Sequence, residues 1–139
     1  DHAVVHGDFK PDNLFYSRQR VVGFDFSDPG MRPITEDICR FLLNVEIGRF
    51  PGSGGMKRGI NPQFFSDLEL FRSSYGLTRK ALPDAFVAYL MLIEILYLWQ
   101  GMLIREMQQG TSWWRQQRLK RVLWMAEYFS GKVFPSGKS

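Results

Sequence analysis

Three oxygen-bearing side chains in the first part of the 139-residue chain have the spacing of a phosphoryl-transfer site. Asp8 is followed after five positions by Asn13, and after a further twelve positions by Asp25. A carboxylate can align an attacking hydroxyl, while amide and carboxylate oxygens are the hard ligands that Mg²⁺ prefers. We therefore predict Asp8 as the catalytic base, and Asn13 and Asp25 as ligands of a Mg²⁺ that bridges the phosphates of ATP.

Lys10 can add a positive charge to the same site. It follows Asp8 by two positions, so its side chain could reach the transferred phosphate and serve both catalysis and nucleotide binding. A solvated surface lysine is the alternative interpretation. Asn13 and Asp25 would bind the nucleotide through the metal that they hold.

The other polar residues of these loops are expected to shape the backbone. His6 is predicted to hold its loop in place through side-chain hydrogen bonds. Asp12 and Asp28 are typical turn formers, although Asp28 could also assist a metal or an acceptor. A lone Asp in any of these loops would also be interpreted as a turn former, so the prediction of a site depends on the whole pattern.

Short β-strands are predicted to bring these loops together. Residues 3–5 form a strand that enters the first loop, and residues 14–16 and 21–24 form a hairpin through residues 17–20. A hairpin is the short route by which Asn13 and Asp25 can reach one ion.

The rest of the chain is predicted to be helical. Thr35 is the expected N-cap of a helix that runs to about Ile47, with carboxylates in its first turn that favour the helix dipole. Three further helices are bounded by Asn61-Pro62 and Gly76, by Pro83 and Gly110, and by Ser112 and about Phe129. The predicted class is α+β and mostly α. One domain has its loops at 1–34 and its helical part at 35–134, followed by a tail at 135–139.

Composition narrows the possible functions. The single cysteine, Cys39, excludes an internal disulfide and a Cys-based zinc site, and it is expected in the core of a cytoplasmic protein. Residues 1–46 carry eight acids and five bases, whereas residues 47–139 carry six acids and thirteen bases. Because these bases are scattered over the predicted helices, no nucleic-acid partner is expected.

Residues 85–104 are apolar enough and long enough to cross a membrane, with Glu94 as their one formal charge. We favour a helix packed within the protein, because a protein core can pair a central acid that a bilayer would have to solvate. A membrane partner is therefore not expected.

A glycine-rich segment at residues 50–59 invites comparison with phosphate-binding loops. No predicted strand leads into it, and its Gly and Lys spacing fits neither the Walker pattern nor the kinase glycine-rich loop. It is predicted to be a connection between helices.

The catalytic pattern resembles that of the aminoglycoside phosphotransferase and choline kinase group, which phosphorylates small molecules on a protein-kinase-like fold. That group shows H-G-D-x-x-x-x-N, then a strand ending in Asp plus an aromatic residue, then P-x-x-x-D opening a helix. The chain matches with His6-Gly7-Asp8 and Asn13, with Asp25-Phe26, and with Pro33-Ile34-Thr35-Glu36-Asp37. The resemblance implies a kinase-like C-terminal lobe, the roles given above for Asp8, Asn13 and Asp25, and Asp37 as a buried support of the catalytic loop.

Two features separate the chain from protein kinases. Gly7 stands where protein kinases carry the Arg that pairs with a phosphorylated activation loop, and only eleven residues separate Asp25 from Asp37. This gap is too short for an activation segment with a peptide-binding platform. The expected acceptor is therefore the hydroxyl of a small molecule of the aminoglycoside, choline or sugar type.

An N-terminal lobe, with its glycine-rich loop and strand Lys, is not recognised in the sequence. We therefore expect a partial enzyme, a C-terminal lobe with little turnover of its own, whose parent chain supplies the missing lobe. Two other interpretations stay open. One is a non-catalytic, pseudokinase-like module that binds nucleotide or a partner; the other is a membrane-proximal lipid or lipopolysaccharide kinase, suggested by the aromatic, basic last helix.

Overall fold

The computed structural model describes residues 2–26, 29–49 and 59–134. Within these ranges the chain has short strands first and long helices after them, and its class is α+β, mostly helical, as predicted. The strands are β1 (His2–Val5), β2 (Leu14–Tyr16), β3 (Val21–Gly23) and β4 (Gly30–Pro33). The helices are α1 (Ile34–Gly48), α2 (Pro62–Ser74), α3 (Asp84–Gln109) and α4 (Trp113–Val133), and a 3₁₀ turn covers Pro11–Asn13.

The strands form two small antiparallel sheets. β2 pairs with β3 in the predicted hairpin, with Leu14 opposite Gly23, and the strand ends one residue before the predicted Phe24. β1 pairs with β4, with Val5 opposite Gly30. No strand was predicted at β4, because its Gly-Met-Arg-Pro sequence has low β-propensity, and pairing with β1 overrides that propensity.

The prediction that Thr35 caps the first helix is wrong. α1 begins at Ile34, the N-cap position is occupied by Pro33, and no side chain caps the helix. The physical reason is that β4 runs directly into α1, which leaves Thr35 inside the first turn. Glu36 and Asp37 do lie in that turn, as predicted.

The other helix boundaries follow their local sequence signals. The Asn61 side chain accepts a hydrogen bond from the Gln63 amide, and Ser112 caps α4 in the same way. Pro83 occupies the N-cap position of α3. The helix ends before Gly110, whose φ of 73° favours glycine at this position. The glycine-rich segment at 50–58, Ser27, Asp28 and the predicted tail at 135–139 lie outside the described residues.

The core is formed by the four helices. Its fully buried side chains are Ile38, Cys39, Leu42, Leu43, Ile47, Phe64, Leu68, Leu82, Val87, Ala88, Met91, Ile95, Val122, Met125 and Phe129. Cys39 is a core residue, as predicted, and its burial raises the pKa of its thiol beyond its ordinary range. An ion pair that sequence patterns did not predict crosses this core, because Arg121 of α4 donates to the fully buried carboxylate of Glu46 in α1.

The apolar helix α3 packs against α1 and α4. Among the described helices, it is the one with the length and composition of a membrane span. Glu94 is buried and accepts hydrogen bonds from Arg40 Nε at 2.9 Å and Nη2 at 3.1 Å, so the expected pairing of this acid is confirmed. The buried residues of α3 end at Ile95, and the expectation of a buried helix over residues 85–104 does not hold for its second half, where Leu96 is 57% and Tyr97 is 65% exposed.

Candidate active site

The first turn of α1 fixes the backbone of the predicted catalytic loop. The Asp37 carboxylate accepts a hydrogen bond from the His6 amide at 2.6 Å through Oδ2, and from the Gly7 amide at 3.1 Å through Oδ1. Gly7 has a φ of 82°, which favours glycine at this bend. Asp37 is half-buried, and it joins the loop to the helical part across about 30 residues of sequence.

Asp8 and Asn13 are in direct contact. The Asn13 side-chain amide donates to the Asp8 backbone oxygen at 3.0 Å and to Asp8 Oδ2 at 2.9 Å. The 3₁₀ turn at Pro11–Asn13 brings the two residues together, and Asn13 itself is buried. Because both bonds use the NH₂ group of Asn13, its carbonyl oxygen is the atom that can serve a cation.

Lys10 points to the same carboxylate. Its ammonium group forms an ion pair with Asp8 Oδ2, and about a third of each side chain is exposed. Lys10 is therefore not a lone surface lysine, since its charge lies against the predicted base. An anionic phosphate near Asp8 would meet this charge directly.

His6 is the buried first residue of the loop. Its Nδ1 accepts a hydrogen bond from the Asp8 amide at 3.4 Å, and its ring stacks on Phe26 with 4.1 Å between the ring centroids. An accepting Nδ1 assigns the proton to Nε2, which is buried and has no hydrogen-bond partner within the described residues. A side chain on residue 23 would approach the His6 ring to 3.3 Å, so Gly23 gives this ring its space.

Asp25 follows the hairpin in an unusual backbone conformation. The Phe24 backbone amide donates to the backbone oxygen of Asn13 at 3.1 Å, which leaves the Asn13 side-chain oxygen free of this bond. Asp25 is the next residue after this contact. Asp25 is the non-glycine residue with positive φ in the described ranges, at 58°. Asp tolerates this left-handed conformation better than most residues, and such strain is frequent at functional sites.

The donor set fits a Mg²⁺ ion bound together with nucleotide. Asn13 offers an amide oxygen and Asp25 a carboxylate, which are hard oxygen ligands. No group of three or more His, Cys, Asp or Glu residues is positioned to hold a metal within the described ranges. A magnesium site of the kinase type does not need such a group, since phosphate oxygens and water complete its coordination.

Sequence reasoning missed two residues of α1, Phe41 and Arg40, that follow Asp37 on the helix. The Phe41 ring contacts the Phe9 ring, with 5.1 Å between centroids, and adds a hydrophobic contact to the bonds made by Asp37. Arg40 lies between Asp37 and Phe41 in the sequence of α1, and its side chain binds Glu94. The signal was available in part, because residues 37 and 41 are one helical turn apart and share a face.

The charge of Arg40 is coupled to the loop. Burial by itself would lower the pKa of the Arg40 guanidinium. The hydrogen bond to Glu94 and the negative charges of Glu94, Asp8 and Asp37 nevertheless raise that pKa. Arg40 is therefore a permanent cation whose charge interacts with those of Asp8 and Asp37.

The hairpin next to the loop carries an exposed apolar surface. Its large exposed side chains are Phe15, Tyr16, Val21, Val22, Phe24 and Phe26. Each of them is about half exposed or more within the described part of the chain. A surface of this kind is typical of a region that contacts a ligand or another segment of protein.

Searches of the chain against protein-family models, curated proteins and solved structures found no match.

Proposed function

We propose that this chain is the acceptor- and metal-binding part of an ATP- and Mg²⁺-dependent O-phosphotransferase that acts on a small-molecule hydroxyl. One observation carries the proposal. The Asp8 carboxylate contacts both Asn13 and Lys10, in a loop whose backbone is fixed by Asp37. A carboxylate held beside an amide and an ammonium group suits a reaction that depends on alignment and charge neutralisation.

Asp8 would act on the acceptor hydroxyl. The hydroxyl oxygen attacks the γ-phosphorus of ATP, a new P–O bond forms, and the bond from the γ-phosphorus to the bridging oxygen breaks to release ADP. Asp8 orients the hydroxyl and takes its proton. Lys10 lies against Asp8 and would place its charge near the oxygens of the phosphoryl group in transfer.

Asn13 and Asp25 would hold the metal through their side-chain oxygens. When bound, Mg²⁺ neutralises the charge of the ATP phosphates. The Asp8 contact orients the Asn13 amide, and the contact between Phe24 and Asn13 keeps the start of the Asp25 loop close. The ligands are thus held by the same hydrogen bonds that order the loop.

We also propose that turnover requires an N-terminal lobe supplied by a longer parent chain. A kinase needs a glycine-rich loop over the phosphates and a strand Lys, and none of the described elements has that role here. The exposed apolar surface of the hairpin is suited to contact such a lobe. The 139 residues alone are therefore expected to bind ligands but to turn over slowly.

The test is Mg²⁺-dependent phosphorylation by the full product of the gene, over neutral sugars, amino sugars and amino alcohols. Asp25→Asn should raise the Mg²⁺ concentration needed for half-maximal rate by about tenfold or more. Replacing a residue that only supports a metal ligand already lowers metal affinity by about that factor. Asp12→Asn is the matched control, because Asp12 is an exposed Asp of the same region. An unchanged Mg²⁺ requirement in Asp25→Asn would contradict its assignment as a ligand, and no turnover with any acceptor would favour a non-catalytic module.

A second class of acceptor, a lipid headgroup, is suggested by exposed aromatic side chains at the start of α4. Trp113 and Trp114 at the start of α4 are each more than half exposed, and exposed Met107 lies at the end of α3. Arg118 and Lys120 follow on α4 and are exposed. Aromatic side chains beside cations favour an anionic membrane surface, so the hydroxyl could belong to a lipid headgroup.

Sedimentation with vesicles tests this second class. Anionic vesicles should bind the wild type in a salt-sensitive manner, and the double variant Trp113→Ser/Trp114→Ser should lose that binding. The matched control is Tyr75→Ser, which removes a half-exposed aromatic ring at the C-cap of α2. Equal binding to neutral and anionic vesicles, or no binding at all, would remove the basis for a lipid acceptor.

A further inference from the structure

A pocket of about 480 Å³ lies between α1 and α3. Its charged lining comes from Arg32, at the end of β4, from Glu36 and Arg40 of α1, and from Glu94 of α3. The proposed function above does not use any of these four residues.

The pocket and the catalytic loop share one helix. Asp37 and Phe41 hold the loop, and Glu36 and Arg40 each come one residue earlier on α1, so they form the adjacent row of the helix. Besides its bond to Glu94, the negative charges of Asp8 and Asp37 contribute to the raised pKa of the Arg40 guanidinium. A molecule in the pocket would therefore contact the row of α1 next to the one that holds the catalytic loop.

The charges of the pocket neutralise one another. Arg40 binds Glu94 through two hydrogen bonds, of 2.9 and 3.1 Å. The Arg32 guanidinium lies 3.5 Å from the Glu36 carboxylate. Two cations thus face two anions, and each carboxylate already has a guanidinium partner. A polycationic acceptor would need to displace these partners before it could be bound by the acids.

α3 supplies an apolar side to the same pocket. Leu90, Ile93 and Tyr97 line it, and Tyr97 is 65% exposed. An exposed aromatic ring can contact the apolar face of a sugar, while the side chains of the two ion pairs form hydrogen bonds with its hydroxyl groups.

We propose that this pocket binds the acceptor, and that the acceptor is an uncharged polyhydroxylated molecule of the sugar class. This inference rests on the proposed function, because a molecule in the pocket becomes an acceptor only if the loop transfers phosphate. It narrows that function, because it predicts that a neutral sugar is a better substrate than the corresponding amino sugar.

The experiment compares matched acceptors in the full product of the gene with Mg-ATP. The probes are glucose against glucosamine and galactose against galactosamine, with kcat/KM measured for each. The neutral sugar of each pair should be preferred. Tyr97→Ala should lower kcat/KM for the neutral sugars by about three- to tenfold. Tyr89→Ala is the control, since Tyr89 is an exposed ring of the same helix that does not line the pocket.

A change of charge sharpens the test. Arg32→Gln removes the partner of Glu36 and should shift preference toward the amino sugar by about two- to fivefold, the size expected for one partly exposed ion pair. The control is Arg79→Gln, because Arg79 pairs with Glu69 away from the pocket. These two controls should leave the ratio of neutral to amino sugar unchanged.

The outcomes separate the two proposals. Preference for the amino sugars, with no response to Tyr97→Ala or Arg32→Gln, would overturn the sugar pocket and leave the phosphotransferase standing. Absence of acceptor-dependent turnover with every probe would overturn both. Preference for the neutral sugars that Tyr97→Ala reduces and Arg32→Gln shifts would support both.

Discussion

The loop region, residues 2–33, and the helical part, residues 34–134, are built in different ways. The helical part contains the whole cluster of fifteen buried apolar residues. Among the described residues of the loop region, Val5 is the buried apolar residue, whereas Val4, Met31 and most of the hairpin are exposed. The proposed chemistry is therefore assigned to the part of the molecule that has almost no core of its own.

This difference shows how the site is kept in shape. Two small sheets cannot stabilise themselves in isolation. The loop region depends instead on α1, through the Asp37 carboxylate and the ring contact between Phe9 and Phe41. The helical part supplies the stability, and one helix transmits it to the loop.

The largest effect is expected from the buried ion pair that joins α4 to α1. Arg121 donates to Glu46, which is fully buried, and to the Gly59 backbone oxygen. Arg121→Met should lower the free energy of unfolding by about 3–5 kcal/mol, because it leaves the Glu46 charge in the core without its main partner. Urea unfolding measures the loss.

Arg118→Met is the control for this pair, since Arg118 is an exposed Arg of the same helix. It should change the free energy of unfolding by no more than about 0.5 kcal/mol. A loss below about 1 kcal/mol in Arg121→Met would show that the helical part does not depend on this pair.

A smaller effect is expected from the link between the two regions. Asp37→Ala removes the acceptor of the His6 and Gly7 amides and should lower the free energy of unfolding by about 2–3 kcal/mol. Hydrogen exchange of those two amides should accelerate far more than exchange in the core of α3.

Glu36→Ala controls for the first-turn charge of α1, because Glu36 is the other acid in that turn. Its cost should stay below about 1 kcal/mol, and the two loop amides should exchange as in the wild type. Equal exchange of these amides in Asp37→Ala and the wild type would contradict the role of Asp37 as the link.

The smallest effect is expected on the exposed face of the hairpin. Phe15→Thr and Val22→Thr replace side chains that are 66% and 54% exposed and lie opposite each other on β2 and β3. Each change should alter the free energy of unfolding by about 0.5 kcal/mol or less. Leu42→Ala, in the core of the helical part, is the contrast and should cost about 2–5 kcal/mol. A hairpin variant that loses as much as Leu42→Ala would contradict the comparison.

Sequence signals predicted the elements that depend on local chemistry. Asn61-Pro62, Pro83, Gly110 and Ser112 each mark a helix boundary that the structure has at or near the predicted place. β4 was not predicted, and the N-cap of α1 is Pro33 and not the predicted Thr35, because pairing with β1 overrides the local preference of that segment.

The candidate site likewise contains residues that local sequence predicts and contacts that it does not. The spacing of Asp8, Asn13 and Asp25 can be read along the chain, and a motif resemblance added Asp37. The ion pairs behind the site cannot be read in this way. Arg40 and Glu94 are separated by 54 positions, and Glu46 and Arg121 by 75, so only the packing of the helices brings each pair together.

The most direct test of the proposed chemistry is transfer of the γ-phosphate of ATP to an acceptor by the full product of the gene, in Asp8→Asn and in Asp12→Asn. Asn at position 8 keeps an oxygen that can accept the Asn13 hydrogen bond but cannot take a proton, so transfer should fall by about 10²- to 10⁴-fold. Asp12→Asn, which changes an exposed neighbour, should transfer phosphate at nearly the wild-type rate. Transfer by Asp8→Asn within a few-fold of the wild type would contradict the assignment of Asp8 as the base.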